Sequence, residues 1–486
     1  MTRQLIDEAV RYAVSAARTA QTEAESWDQA RTDDVVTAVG WQCYREENAR
    51  RLAQLSHAET ELGNVEHLYS LQRKRVLGLL RDLHGEATVG IAEEFPELGL
   101  RTIHKPVGVI AVASPTTAPG PGIICNVLPM LKTRNAVVVT PNPRAYPVAV
   151  ATVALIREAL TQVGAPADLV QCLSVTGREA ADALMAAADL VVAVGGAGTV
   201  RRAYSSGTPA VGAGVGNPTI IVDETADVAD AARRTHTGAG YNNGTSCSSE
   251  SNVLVHRSVA DEFRTELARA GAHLCTHAET ARLRSALWPD GKALNRNLVG
   301  RPAEVVATAA GITLEEPSKT TVLVLQHDDP ERDSPILWEK LSPVLTMSTY
   351  DAFDRAVELV TTLSDRCGRG HSCGIYSSRP DRIAQLAEAT ATCRVVVNQS
   401  TMTNTGSFDS GVPFTTTLSS GTWGGTSVSG NVTWHAYMNT TTVTWPIKER
   451  RPDERLVFGR HWEGGAEANG HPLASDVHVG DAYAAR

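Results

Sequence analysis

One of the eight cysteines stands where a thiol could act as a nucleophile. Cys247 lies in Gly238-Ala-Gly-Tyr-Asn-Asn-Gly-Thr-Ser-Cys-Ser-Ser-Glu250, where glycine-rich backbone runs directly into a β-prone segment. A nucleophile needs solvent access and nearby N–H donors that hold both the thiolate and the oxyanion its attack creates, and a glycine-rich turn supplies them. The cysteines at 43, 125, 172, 275, 367, 373 and 393 have ordinary surroundings and read as small buried hydrophobes. They are too sparse for a disulfide framework and form no CxxC or Cys/His pattern, so no metal is expected.

Two further stretches could hold a ligand. Ser114-Pro-Thr-Thr-Ala-Pro-Gly-Pro-Gly122 follows an apolar strand and precedes a helix. That is the C-terminal end of a parallel strand, where α/β sheets bind ligands, although a rigid proline-rich connector reads the same. Val194-Gly-Gly-Ala-Gly198 and Gly212-Ala-Gly-Val-Gly-Asn-Pro218 do not spell G-x-G-x-x-G. Gly195 to Gly198 nevertheless end a strand and open a helix, the geometry that places a phosphate at a helix N-terminus.

These segments need a frame, and the chain of 486 residues is long enough for two or more domains. The first hundred residues read as helices: Leu5, Ala9, Ala13, Ala16 and Ala20 step at three and four, and the run through Arg73-Lys74-Arg75 reads as a solvated face. Apolar runs at 107–112, 136–140, 169–173 and 190–194 then alternate with helical segments near 121–133, 145–163 and 177–188. Strands apolar on both faces, separated by helices, predict a doubly wound parallel sheet. A second alternation follows, with strands at 252–256, 321–325, 374–376 and 394–398 and helices at 258–271, 351–363 and 380–390. Residues 404–430, rich in Gly, Ser and Thr, read as a functional loop or interface, and 464–486 as a mobile tail. The formal charge of −9 argues against a sequence-independent nucleic-acid binder, and no apolar run is long enough to span a membrane. The N-terminus lacks the order of a secretory signal, so a cytoplasmic location is expected.

Taken in order, Pro-Thr-Thr at 115–117, Leu131-Lys-Thr-Arg-Asn-Ala136, Pro141-Asn-Pro-Arg144, Gly195 to Gly198, Tyr204-Ser-Ser-Gly207, Gly212 to Asn217, Cys247-Ser-Ser-Glu250 and Glu339-Lys-Leu-Ser-Pro-Val344 form one set. The set resembles the CoA-acylating branch of the aldehyde dehydrogenase superfamily, from about residue 100 to 450. Gly406-Ser-Phe-Asp-Ser-Gly-Val-Pro413 and Gly421-Thr-Trp-Gly-Gly425 resemble its sulfoacetaldehyde type more than its acetaldehyde type. The resemblance implies a nucleotide-binding domain at 1–240 with an oligomerisation hairpin near 90–104, a catalytic domain at 241–430 and oligomerisation strands at 431–450. A homodimer or homotetramer follows.

The resemblance also implies roles. Cys247 is the nucleophile and Thr117 stands where hydrolytic members carry an oxyanion-binding asparagine. Thr140, Asn142 and Pro143 lie at the adenosine ribose of NAD or NADP, Gly195 and Gly196 beside the pyrophosphate, and Glu339 at the nicotinamide ribose. His371, in Gly370-His-Ser-Cys-Gly374, lies near the acyl site. Gly212, grouped with the cofactor-binding residues, takes the place of the glutamate that activates water in hydrolytic members. Glycine cannot accept a proton, so a thiol, coenzyme A, is the expected acyl acceptor. The expected reaction is reversible oxidation of a short aldehyde to acyl-CoA, and Arg369 and Arg394 are candidate partners for an anionic substituent. The alternatives are a hydrolytic aldehyde dehydrogenase, a cysteine hydrolase of another class, and a non-catalytic cargo or scaffold protein of a bacterial microcompartment shell. In the last, the N-terminal helix could be a docking tag rather than a core element.

Overall fold

The computed structural model describes residues 2–330 and 332–463, so the expected mobile tail lies outside the described residues. Four helices open the chain: α1 (Arg3–Glu25), α2 (Gln29–Tyr44), α3 (Glu46–Thr60) and α4 (Val65–Leu83). On α1 the buried stripe is Ile6, Val10, Ala13, Ala17, Ala20 and Ala24, whereas Leu5 is 54 % exposed. The helix is as expected but its inner face is turned by one residue, because Ile6 and Val10 bring more apolar surface than the alanines. Its backbone is tied to the sheet behind it: Gln171 Nε2 donates to the Ala13 carbonyl at 3.0 Å, and Arg18 pairs with Asp189 at 3.0 Å. A helix whose apolar stripe is spent on the core is not free to serve as a docking tag.

After the hairpin of β1 (Gly90–Phe95) and β2 (Leu100–Pro106) comes a parallel sheet of β3 (Val109–Ala113), β4 (Ala136–Thr140), β5 (Val170–Cys172), β6 (Leu190–Val194) and β7 (Ala210–Ala213). Its order is β5-β4-β3-β6-β7, and every residue of β3 and β4 is buried. The connecting helices are α5 (Pro119–Lys132), α6 (Tyr146–Gln162), α7 (Arg178–Ala187) and α8 (Ala197–Tyr204). Strand order reverses between β3 and β6, which makes the crevice at their C-terminal ends the natural place for a ligand.

A second sheet contains β8 (Thr219–Val222), β9 (Asn252–His256), β10 (Ala272–Leu274), β11 (Val322–Gln326), β12 (Val344–Tyr350), β13 (Cys373–Tyr376) and β14 (Val395–Val397). It is parallel throughout, in the order β10-β11-β12-β9-β8-β13-β14. The chain therefore passes between sheets at 214–218, earlier than the expected division at 240/241. Helix α9 (Val228–Gly240) confirms the side: its Val228, Ala231, Ala232 and Ala239 pack with Ile220 and Val253 of the second sheet. The expected loop at 404–430 contains β15 (Leu418–Ser420), which pairs with β16 (Ser429–Asn431). Last, β17 (Met438–Thr444) runs antiparallel to β2, from Met438 opposite Pro106 to Thr444 opposite Leu100.

Candidate active site

A cavity of about 1050 Å³ opens at the C-terminal ends of β3, β4 and β6 and reaches the loop that carries Cys247. Thr117, Thr140, Asn142, Pro143, Gly195, Gly196, Cys247 and Glu339 all line it. Residues more than two hundred positions apart thus converge on one space, from the strand ends and helix starts of the first sheet and from the loops that carry Cys247 and Glu339.

Thr117 sits in the link from β3 to α5, a helix that starts at Pro119, where a missing N–H costs nothing. Thr140 ends β4, and the Asn142 side chain accepts the Arg144 N–H at 3.1 Å, closing the turn that follows. Gly196 caps α8, and a Cβ placed on Gly196 or Gly198 would meet nothing within 4 Å. The cavity face of this turn is therefore open space, and Arg178, Arg201 and Arg202 line it alongside. Open backbone at a helix N-terminus, with cations around it, suits the pyrophosphate of a dinucleotide.

The nucleophile loop is held by unusual backbone. Asn242, Asn243 and Gly244 take φ values of 49°, 55° and 67° in succession, a left-handed run that asparagine and glycine tolerate best. The asparagines are pinned there: Asn242 Oδ1 accepts the Asn64 N–H at 2.9 Å, and Asn243 Nδ2 donates to the Gly63 and Gly300 carbonyls at 2.9 and 3.0 Å. Beneath the loop, buried Glu250 accepts the Thr401 N–H at 2.8 Å, and Thr401 Oγ1 donates to the Ser248 carbonyl at 2.7 Å. These bonds leave Cys247 part-exposed at the cavity wall, and its own N–H donates to no acceptor among the described residues. A free N–H beside the nucleophile is what an oxyanion requires. Gly216 explains another part of the glycine series: a Cβ there would lie 2.1 Å from the Cys247 carbonyl oxygen, so only glycine lets the two backbones meet.

Gly216 also donates its N–H to Glu339 Oε1 at 3.1 Å. Glu339 is the one carboxylate among the described cavity-lining residues. Burial raises its pKa to about 7, against the pull of the Gly216 N–H and of Lys340. Lys340 points away into the protein, where its Nζ donates to the Ser251 carbonyl and hydroxyl at 3.0 and 2.9 Å, and burial lowers its pKa to about 7.

Burial, and then the charge of Glu339, push the Cys247 thiol up to about 11, while Arg394 and Arg75 pull it down. The resting thiol is therefore protonated at neutral pH, and its reactive fraction grows with pH. Alkylation of Cys247 by iodoacetamide, followed by peptide mass mapping, should accelerate roughly tenfold per pH unit between about 7 and 10. Glu339→Gln should move that profile to lower pH by removing a negative neighbour. A rate that is flat across this range would mean that the thiol is already ionised.

Three of the expected groups stand outside the cavity lining. Gly212 does not reach the cavity: it is buried in β7, its N–H donates to the Tyr204 hydroxyl at 3.1 Å, and a Cβ on it would press on Val200 and Tyr204 at 2.8 and 3.0 Å. The residues that line the cavity nearby are Gly214 and Val215. His371 is likewise absent from the lining. It is fully buried, its Nδ1 meets Ser372 Oγ at 2.8 Å, its Nε2 has no partner, and burial, with Arg394 nearby, lowers its pKa to about 3. A neutral imidazole enclosed by protein does not reach the acyl site in this arrangement. Finally, Arg369 pairs at the surface with Asp365 at 3.2 Å, and Arg394 is spent on Asn431 Oδ1 and the His371 and Ser419 carbonyls at 2.7, 2.9 and 3.0 Å. Neither lines the cavity.

Two doubly wound sheets, a cysteine on a glycine-rich loop and a nucleotide-sized cavity between strand ends define the class, and the comparisons agree. The profile of the aldehyde dehydrogenase family matches residues 2–283. The chain is 38 % identical to the sulfoacetaldehyde dehydrogenase (acylating) of Cupriavidus necator, over 94 % of this chain and 93 % of that protein. It is 36 % identical to the succinate-semialdehyde dehydrogenase (acetylating) of Clostridium kluyveri, over 92 % and 98 %. Among solved structures, an acetylating aldehyde dehydrogenase from Geobacillus thermoglucosidasius superposes with a TM-score of 0.89 at 30 % identity, covering 93 % of this chain and 99 % of that one. A propionaldehyde dehydrogenase from the Clostridium phytofermentans fucose utilisation bacterial microcompartment gives 0.82 at 27 % identity, covering 90 % and 97 %. This chain belongs to the aldehyde dehydrogenase family.

Proposed function

We propose that the protein is an NAD(P)-dependent, CoA-acylating aldehyde dehydrogenase that interconverts a short aldehyde and its acyl-CoA through a thioester on Cys247. The observation that carries this reading is one cavity lined both by Cys247, whose N–H donates to no acceptor among the described residues, and by the open Gly195–Gly196 turn, with one carboxylate among the described lining residues. Gly195 and Gly196 would hold the pyrophosphate, Thr140 and Asn142 the adenosine side, and Glu339 the nicotinamide ribose. The Cys247 thiol loses its proton to water in the cavity, its sulfur bonds to the aldehyde carbon as the carbonyl π pair moves onto oxygen, and that oxyanion rests on the Cys247 N–H and the Thr117 hydroxyl. A bound nicotinamide supplies the acceptor for the hydride that departs from the same carbon. Cys247 then carries the acyl group until the sulfur of CoA takes it and the Cys247 thiolate leaves. The test is the absorbance of reduced nicotinamide from short aldehydes with and without CoA. Turnover that requires CoA supports the reading, and none with any short aldehyde would end it.

The oligomer is part of the same reading. The sheet β1-β2-β17 ends in two open edges, and Ile91, Trp445 and Ile447 are 50 %, 48 % and 44 % exposed along it. Open β edges flanked by apolar side chains are normally covered, and a second copy extending the sheet would do so. Sedimentation should find a dimer or tetramer at assay concentrations; an active monomer would remove the proposal. No described helix is long and apolar enough to cross a membrane. Location within a bacterial microcompartment rests on the likeness to the Clostridium phytofermentans enzyme, and co-purification with shell proteins of the source organism tests it.

A further inference from the structure

Two arginines of the cavity lining, Arg75 and Arg296, hold neither cofactor nor substrate in the reading above, and of the two only Arg75 is buried. Arg75, on the inner side of α4, is 7 % exposed and lines the cavity together with Cys247. Its Nε has no hydrogen-bond partner, and no carboxylate pairs with it among the described residues. The side chain it leans on is the Cys125 thiol of α5, which burial raises to about 11 and so keeps neutral. A guanidinium so largely buried, open only to the cavity and without a counter-charge, is held unfavourably unless an anion completes it.

The surroundings say where that anion would sit. The start of α5 is Pro119, Gly120, Pro121 and Gly122, so the helix presents almost no side chain to the cavity here, and a Cβ on Gly122 would come no nearer than 3.6 Å to another atom. The rest of this wall, Leu71, Thr405 and Thr416, is neutral. Arg75 is near enough to Cys247 and Tyr241 for its charge to act on both. It therefore lies on the nucleophile's side of the cavity, whereas Arg178 and Arg201 come from α7 and α8 beside the Gly195 turn.

We propose that Arg75 sets substrate specificity by receiving a sulfonate or carboxylate at the far end of a short aldehyde whose carbonyl carbon meets Cys247. The inference rests on the acylating reading. Guanidinium suits it, because its planar fork grips either anion through two parallel hydrogen bonds.

The test compares kcat/KM of the parent, R75Q and R75K on sulfoacetaldehyde, succinic semialdehyde and propionaldehyde, each with NAD(P) and CoA. The parent should prefer an anionic aldehyde, and whichever it favours identifies the headgroup. R75Q should lose about 100-fold on that substrate, mostly in KM, and less than about threefold on propionaldehyde. R75K should recover part of the loss, since it keeps the charge without the fork. If R75Q does not fold, R75K decides: a loss confined to the anionic substrate supports the proposal and an equal effect on all three overturns it. A parent that prefers propionaldehyde, or an R75Q that weakens all three alike, also overturns it. Those results leave CoA-dependent turnover of propionaldehyde standing, so they are distinct from failure of the acylating reading, in which no aldehyde is oxidised.

Discussion

Cys247→Ala should show no reduced nicotinamide above background from any aldehyde, with or without CoA, a fall of at least about 10⁴-fold. The size follows from the route: without the sulfur no thiohemiacetal forms, and the carbonyl carbon never becomes the tetrahedral, oxyanion-bearing centre from which hydride departs. No other side chain can substitute. The neighbours Ser246 and Ser248 are hydroxyls, Ser248 is buried, and Cys367 and Cys393 do not line the cavity. The variant should fold, because the loss of one sulfur atom falls at a part-exposed wall and removes none of the bonds that pin the loop through Asn242, Asn243 and Glu250. Unchanged binding of reduced nicotinamide, followed by fluorescence, would separate loss of chemistry from loss of structure. Residual turnover of a few per cent would mean that a different group carries the acyl chain.

Much of this site could be read from the chain, and the remainder failed for definable reasons. The unbroken apolar runs at β3 and β4 are legible because both faces of those strands are buried, and Cys247 is legible because a glycine-rich turn is a local signal. β7 and β8 were hidden by Gly212 to Pro218: the residues that let the chain cross between sheets also mask the strands on either side. Gly212 illustrates a second limit. Sequence shows which residue stands at a position but not where a side chain there would point, and at 212 a Cβ would point at Val200 and Tyr204. Arg75 illustrates a third. In the run Arg73-Lys74-Arg75 it looks like one of several solvated charges, and only the helix rotation, which puts Lys74 outside and Arg75 inside, singles it out. His371 fails for the same reason in reverse, since nothing in Gly370-His-Ser-Cys-Gly374 announces that the imidazole is enclosed.

Omission of CoA should limit the intact enzyme to about one reduced nicotinamide per active site, after which the thioester persists on Cys247. The cavity lining as a whole, rather than Gly212, sets this limit. Water, with a pKa of about 15.7, needs a base to attack a thioester, whereas a thiol near 8.5 is already a few per cent ionised at neutral pH. The lining offers one carboxylate, Glu339, whose Oε1 is held by the Gly216 N–H. His371, the other conceivable base, is enclosed and held neutral. A stopped-flow burst equal to the site concentration, with a mass increase on the Cys247 peptide, is the expected signature. Glu339→Gln tests the remaining route: any slow release of free acid that survives in the parent should vanish in this variant if Glu339 is what activates water. Steady turnover to the free acid without CoA, at the rate seen with it, would show that the cavity contains an effective base and would replace the acylating assignment with a hydrolytic one.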